Sequence, residues 1–282
     1  MPHHSTRQVL PPHPDPLPMP LVDNHAHLDL VRDDVPTLGV AAAVAAAGAV
    51  GVDRIVQIGC DLASAEISVR LAHQHPELVA GVALHPNEAP RLAAQGALAA
   101  AYARIAELAA DPRVRVVGES GLDYFRTGPQ GREVQHESFR WHIELAKRLD
   151  KPLQIHDRDS HEQVLAVLDD CGAPRRVVLH CFSGDVNFAR ECLERGFYLS
   201  FAGPITFKNN HGLRDALAVT PLDRLLLETD APYLTPHPWR GAGNSPYLLA
   251  TTARTAAAVL GVAVAHLCEA VSATSEDLYG PW

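Results

Sequence analysis

A closed barrel of eight parallel strands alternating with helices, the (β/α)8 class of α/β proteins, is the fold this sequence predicts. Three observations carry the prediction. Eight short runs rich in Val, Ile and Leu recur along the chain, and segments of helical periodicity separate them. Side chains of metal-ligand type stand at the C-terminal ends of the runs, where barrel chemistry is built. At 282 residues the chain has room for eight strand–helix repeats and one helix more. Eight repeats suit a closed barrel better than an open sheet.

The elements follow in chain order. Residues 1–20 carry seven prolines (Pro2, Pro11, Pro12, Pro14, Pro16, Pro18, Pro20) and no apolar core of a signal peptide. They read as an extended, flexible leader in which His3, His4 and His13 are incidental. From residue 21 to 282 no linker interrupts the pattern, so a single domain is expected. Its strands are predicted at Leu21–His27, Arg54–Cys60, Leu78–His85, Val114–Glu119, Pro152–His156, Arg176–Cys181, Phe197–Ala202 and Arg224–Thr229. Each is short and apolar enough to be buried on both faces. The clearest helix is Glu133–Asp150, where Phe139, Ile143, Leu145 and Leu149 form a core face and Lys147 and Arg148 stay in water. The alanine-rich Val40–Val50 reads as a buried helix, short of the roughly 18 apolar residues that a membrane span needs. A last helix near Val262–Ala273 is expected to pack outside the barrel.

Composition narrows the function. The chain is 47% hydrophobic and 20% charged, as in ordinary globular proteins. Cys60, Cys171, Cys181, Cys192 and Cys268 form no CxxC pair, which fits a reducing cytoplasm and argues against a disulfide framework or a cysteine zinc site. A formal charge of −9 argues against a broad basic face for nucleic acid. It leaves a nuclease open, because bound divalent metals bring their own positive charge. No GxGxxG or Walker sequence follows any predicted strand.

The first strand ends in His25-Ala26-His27, the fourth in Glu119, the fifth in His156, the sixth in His180 and the eighth in Asp230. Residues two apart on a strand face the same way, so His25 and His27 can bind one ion. Closing the barrel brings the eighth strand beside the first, and Asp230 to the same ion. His156 and His180, on neighbouring strands, can share a second ion, and the two oxygens of Glu119 suit a bridge. Each residue alone has an ordinary explanation. A lone HxH is a weak signal, Glu119 can cap a helix, His156 and His180 can satisfy backbone groups, and Asp230 before Ala231-Pro232 can start a turn. Their coincidence at five predicted strand ends is the signal. His85, in Leu84-His85-Pro86, is a substrate contact or a support for a ligand, with a structural role equally open. His73, His75, His136, His142, His161, His211, His237 and His266 are read as solvated.

These residues resemble the TatD-like DNase family of the amidohydrolase superfamily. The motifs stand as Val22-Asp23-Asn24-His25-Ala26-His27-Leu28-Asp29, Gly118-Glu119-Ser120-Gly121-Leu122-Asp123-Tyr124, and Pro152-Leu153-Gln154-Ile155-His156-Asp157-Arg158-Asp159. They continue as His180-Cys181-Phe182-Ser183-Gly184, Leu227-Glu228-Thr229-Asp230-Ala231-Pro232-Tyr233-Leu234 and Arg240-Gly241-Ala242-Gly243-Asn244-Ser245-Pro246. The resemblance implies a TIM barrel, two divalent cations per chain and 3′→5′ exonuclease hydrolysis of DNA phosphodiesters. It implies one metal on His25, His27 and Asp230, the other on His156 and His180, and Glu119 bridging. The sequence departs from the family at Ser245, where Glu is usual, at Ser120, where a larger apolar residue is usual, and in the segment 273–279, which lacks the usual Asn.

On this reading Asp230 and Glu119 are the catalytic carboxylates, with Asp230 the general base. Arg126, Arg158 and Arg240, together with His85, are candidates for contacts to substrate phosphates. Single-stranded DNA ends are the expected substrate, with no membrane and no obligate protein partner. Four histidines favour zinc, manganese or iron, whereas the resemblance implies magnesium. Two alternatives stand beside the nuclease: an amidohydrolase-type enzyme cleaving an amide, lactone or acyl ester at the same metals, and a barrel that binds metal without turnover.

Overall fold

A computed structural model of the chain describes residues 9–282. Pro2, His3 and His4 of the leader lie outside the described residues. The elements run β1 (Leu21–Ala26), α1 (Val40–Ala49), β2 (Val52–Gly59), α2 (Leu62–Gln74), β3 (Leu78–Val82), α3 (Glu88–Ala94), α4 (Leu98–Ala109), β4 (Val114–Asp123) and α5 (Pro129–Leu149). They continue with β5 (Leu153–Arg158), α6 (His161–Cys171), β6 (Val177–Leu179), α7 (Val186–Glu194), β7 (Tyr198–Phe201), α8 (His211–Ala218), β8 (Leu225–Leu227), α9 (Leu249–Leu260) and α10 (Val264–Tyr279). The strands form one sheet in chain order, β1 to β8. The recorded pairings are parallel, and a parallel bridge from Ala26 to Ala231 joins the end of β1 to the segment after β8. This is the predicted (β/α)8 barrel.

The described residues divide into two compact units. The first holds the chain up to Val56 with Gly184–Glu191 and Leu199–Asp277. In it β1 is buried along its whole length, as its apolar run predicts. The peptide N–H of Asp230 donates to the His25 carbonyl at 2.9 Å, and that of His27 to the Ala231 carbonyl at 2.7 Å. α10 is longer than predicted and packs behind β1: the Ser275 hydroxyl donates to Asn24 Oδ1 at 3.0 Å, and Asn24 Nδ2 donates to the Leu227 carbonyl at 3.0 Å.

The leader differs from its expectation in the same unit. From Pro11 it is extended, as its prolines require, but it is docked. The Tyr247 hydroxyl donates to the Pro11 carbonyl at 2.5 Å, and the His13 ring lies 4.5 Å from the Tyr247 ring. Arg254 donates to the carbonyls of Asp15 and Pro16, and the Leu17 N–H to Val50 O at 2.9 Å. Proline-rich chain leaves its carbonyls unpaired, and here buried or anchored donors take them up.

The second unit holds Gln57–Ser183, Cys192–Tyr198 and Leu278–Trp282. Here β4 runs four residues past its predicted end at Glu119, to Asp123. Its pairing with β5 shifts register between Val117 and Ser120 and then continues to Asp123 opposite Arg158. Gly121 makes that continuation possible. Its φ is +148°, and a Cβ there would lie 2.0 Å from the His156 carbonyl oxygen. α5 begins at Pro129, at N1 where the ring's missing N–H costs nothing. Phe139, Ile143 and Leu145 are fully buried on it as predicted, whereas Leu149 is half-buried. His142, predicted to be solvated, is instead fully buried. Burial pushes its pKa down to about 4. Its Nδ1–H donates to the Ser138 carbonyl at 2.7 Å and its Nε2 accepts the Leu84 N–H at 3.1 Å, which makes a neutral ring tolerable in the core. His73, His211, His237 and His266 are exposed, and His75, His136 and His161 half-buried.

Candidate metal centre

In the first unit, the strand period turns His25 and His27 the same way, and the β1–β8 ladder sets Asp230 beside them. His25 Nε2 and His27 Nε2 are 3.1 Å apart, and Asp230 Oδ1 lies 3.8 Å and 3.4 Å from them. Both histidines are buried. Asp230 holds a left-handed backbone (φ +52°), which turns the chain out of the strand at the ligand. Two imidazole nitrogens and a carboxylate oxygen within 4.8 Å of one another form a donor set that suits a divalent cation. Asp23 braces the group from behind. It accepts from the Thr229 hydroxyl at 2.6 Å, the Thr229 N–H at 2.9 Å and the His25 N–H at 3.3 Å. Burial pushes Asp23 up to about 8, against the lowering effect of those donors.

In the second unit Glu119 gathers its neighbours. Its Oε2 lies 2.7 Å from His180 Nε2 and 3.1 Å from His156 Nδ1, and its Oε1 accepts from Cys60 Sγ at 3.2 Å. His180 is held past the end of β6 by its N–H on the Ile155 carbonyl, at 3.1 Å. Asp123 flanks the same histidine, with Oδ2 3.4 Å from His156 Nε2. Burial alone would lower His156, but Asp123 and Glu119 outweigh it and hold the group above its ordinary value. Asp123 is also buried, yet His156, the Arg126 N–H and Asn87 hold it well below the usual carboxylate range. His85 lies in the same cluster, its ring centroid 4.4 Å from that of His156. Burial, then the charge of His156, push His85 down to about 3. Its Nδ1 accepts the Asn87 N–H at 3.1 Å, which leaves the proton of a neutral ring on Nε2. The donors again suit a divalent cation, with nitrogen and carboxylate ligands already converged.

Of the predicted ligands, His25, His27 and Asp230 converge in the first unit, and in the second Glu119 lies within 3.1 Å of both His156 and His180. Of the predicted arginines, Arg158 stands exposed at the end of β5 with its guanidinium 3.9 Å from the Phe125 ring centre. Arg240 lies 4.7 Å over Phe207. The Arg126 side chain is exposed, and its N–H donates to Asp123 Oδ1 at 2.8 Å. Among the described residues neither Arg126 nor Arg240 contacts a ligand group. Sequence reasoning missed Asp123, Cys60 and Phe125. Cys60 ends the second predicted strand, directly after β2, and met the strand-end criterion used for the others, and Asp123 stood in the quoted motif four residues past Glu119. Ser120 and Ser245, the departures from the family pattern, are both buried, and their hydroxyls have no hydrogen-bond partner among the described residues. Ser245 lines a small cavity with His27, Leu28, Leu38, Pro232 and Asn244.

Comparison with known proteins bears on this arrangement. The family profile of TatD related DNases matches residues 22–280. An uncharacterized metal-dependent hydrolase TatD from Mycobacterium tuberculosis is 42% identical over 265 residues, covering 92% of this chain and 98% of its own. The uncharacterized metal-dependent hydrolase YabD of Bacillus subtilis is 38% identical over 227 residues, covering 80% of this chain and 86% of its own. Among solved structures, YJJV, a TatD homolog from Escherichia coli, superposes with a TM-score of 0.83 at 26% identity, over 92% of this chain and 97% of that one.

Proposed function

Because the chain belongs to the TatD related DNase family, we propose that it is a metal-dependent hydrolase that cleaves phosphodiester bonds, removing nucleotides from the 3′ ends of single-stranded DNA. The observation that carries the reading is the convergence of His25, His27 and Asp230 within 4.8 Å of one another at the C-terminal ends of β1 and β8. On this proposal His25, His27 and Asp230 would hold one divalent cation, and Glu119, His156 and His180 would hold another. Magnesium, manganese and zinc are the candidate ions.

A divalent cation held by these ligands would polarise the phosphoryl oxygen and make water a better nucleophile. The chain's own residues do the rest. Asp230 takes the proton of the attacking water on its carboxylate. Asp23 keeps His25 and the Thr229–Asp230 turn in place. Glu119 orients the ring of His156 through Nδ1, and Asp123 lies 3.4 Å from its Nε2. Arg158 and Arg240 offer in-plane donors to phosphate oxygens, and His85 offers its Nε2–H. Among the described residues no single helix is long and apolar enough to cross a membrane.

A labelled single-stranded oligonucleotide, with and without chelator, tests the reading. Stepwise shortening from the 3′ end, abolished by chelator and restored by added metal, is the expected result. Turnover of an amide, lactone or acyl ester with no action on the oligonucleotide would replace the phosphodiesterase reading with the amidohydrolase one.

A further inference from the structure

Phe125 is an exposed aromatic ring beside the second ligand group, and nothing in the mechanism above uses it. It is 62% exposed, in the turn that follows β4, two residues beyond Asp123. The turn is rigid. Asp123 Oδ1 accepts the Arg126 N–H at 2.8 Å, and the Tyr124 N–H donates to the Arg158 carbonyl at 2.9 Å. One side of the ring is covered by the Arg158 guanidinium at 3.9 Å, and most of the rest faces solvent. Arg158 has no ion pair among the described residues. The pairing of that exposed ring with a guanidinium, beside the second ligand group, is the feature that points to a ligand.

We propose that Phe125 and Arg158 form a nucleotide subsite, in which a base of single-stranded nucleic acid stacks on the free face of Phe125 and its phosphate takes the in-plane N–H groups of Arg158. The proposal rests on the phosphodiesterase reading and adds the part of the substrate that is recognised. The chemistry is compatible at both ends. A guanidinium that stacks by its flat face keeps its N–H donors in the plane, free for bidentate contact with a phosphate. A phenyl ring gives every base a stacking surface, so the subsite tolerates any sequence but demands an unpaired base. Arg158 lies two residues beyond His156 on β5, a rise of about 6.6 Å, which places the phosphate contact beside the ligand group. The chain carries a net charge of −9, so stacking adds affinity that net charge does not supply.

The test uses the whole chain and reads binding as well as turnover. Affinity for a fluorescent thymidine decamer and for an abasic decamer with the same phosphates is measured in chelator, so that neither is cleaved. Turnover is then measured with metal added. Phe125→Ala should weaken binding of the thymidine decamer by roughly tenfold and raise KM with little change in kcat, as loss of one stacked base implies. The abasic decamer should bind Phe125→Ala and the native chain alike. Phe125→Trp should restore affinity and Phe125→Leu should not, which separates stacking from mere apolar packing. Arg158→Gln should weaken both decamers and lower the salt dependence by about one phosphate. Melting temperatures of all variants check that each is folded. Equal loss on both decamers in Phe125→Ala, or full rescue by leucine, overturns the subsite while leaving the nuclease reading intact. A native chain that neither binds nor shortens the thymidine decamer overturns that reading and this proposal together.

Discussion

Buried His142 gives a prediction whose size follows from the structure. The ring is fully enclosed on α5, with Nδ1–H on the Ser138 carbonyl and Nε2 accepting from Leu84, so only the neutral form fits. Its pKa falls from 6.5 to about 4. In the unfolded chain the same histidine takes up a proton near pH 6.5. Between these values the unfolded state binds more protons than the folded one, so stability falls as pH falls. The contribution is fully present above pH 6.5 and is lost progressively down to pH 4. At 1.36 kcal/mol for each pKa unit, the whole loss is ~3 kcal/mol. His142→Gln provides the comparison, because its amide can donate and accept at the same places but does not titrate. Urea unfolding of both proteins between pH 7.5 and 4, in chelator so that metal release affects neither, gives two stability curves. The native chain should lose ~3 kcal/mol more than the variant over that range. Using the difference cancels Asp23, whose raised pKa acts in the opposite sense: its protonated form favours the folded state at low pH, and that benefit is lost as pH rises towards 8. Parallel curves would show that His142 takes up its proton in the folded protein at its ordinary pH, and that its burial carries no such cost.

Three further outcomes follow from the ligand groups and the leader. Asp230→Asn keeps the shape and one coordinating oxygen, so it should cut kcat by orders of magnitude while retaining most of the bound metal, measured by elemental analysis. Near-native turnover with normal metal content would remove Asp230 as the base. Glu119→Ala should release at least one ion per chain, because His156 and His180 both lose the carboxylate that gathers them; full metal occupancy would refute its place as a ligand. Removing the chain through Met19 leaves the buried Tyr247 hydroxyl and Arg254 without their carbonyl partners, at about 1–3 kcal/mol for the hydroxyl, and so should lower Tm by several degrees. Tyr247→Phe in the same truncated chain should recover part of that loss, and an unchanged Tm on truncation would mean that the docked leader adds nothing.

What the sequence determined by itself is whatever repeats locally. Apolar runs of strand length, spaced by helical segments, were enough for the eight strands and their order, because burial on both faces writes itself into consecutive residues. The period of two put His25 and His27 on one face, and closing the sheet put Asp230 beside them, a pairing that the Asp230–His25 and His27–Ala231 backbone bonds bear out. Groups whose role depends on distant neighbours were not legible. β4 reaches Asp123 only because its pairing with β5 shifts register and Gly121 leaves room for the His156 carbonyl, so the second carboxylate at His156 is a product of strand packing. His142 occupies an ordinary position in the sequence, and only the folded chain shows it sealed in the core. The leader has no periodicity to read, yet its bare carbonyls meet Tyr247 and Arg254 from more than two hundred residues away. Periodicity reports which face of an element is apolar; it carries no information about which polar atom of another element arrives opposite, because that depends on register and on contacts closed only after the chain has folded.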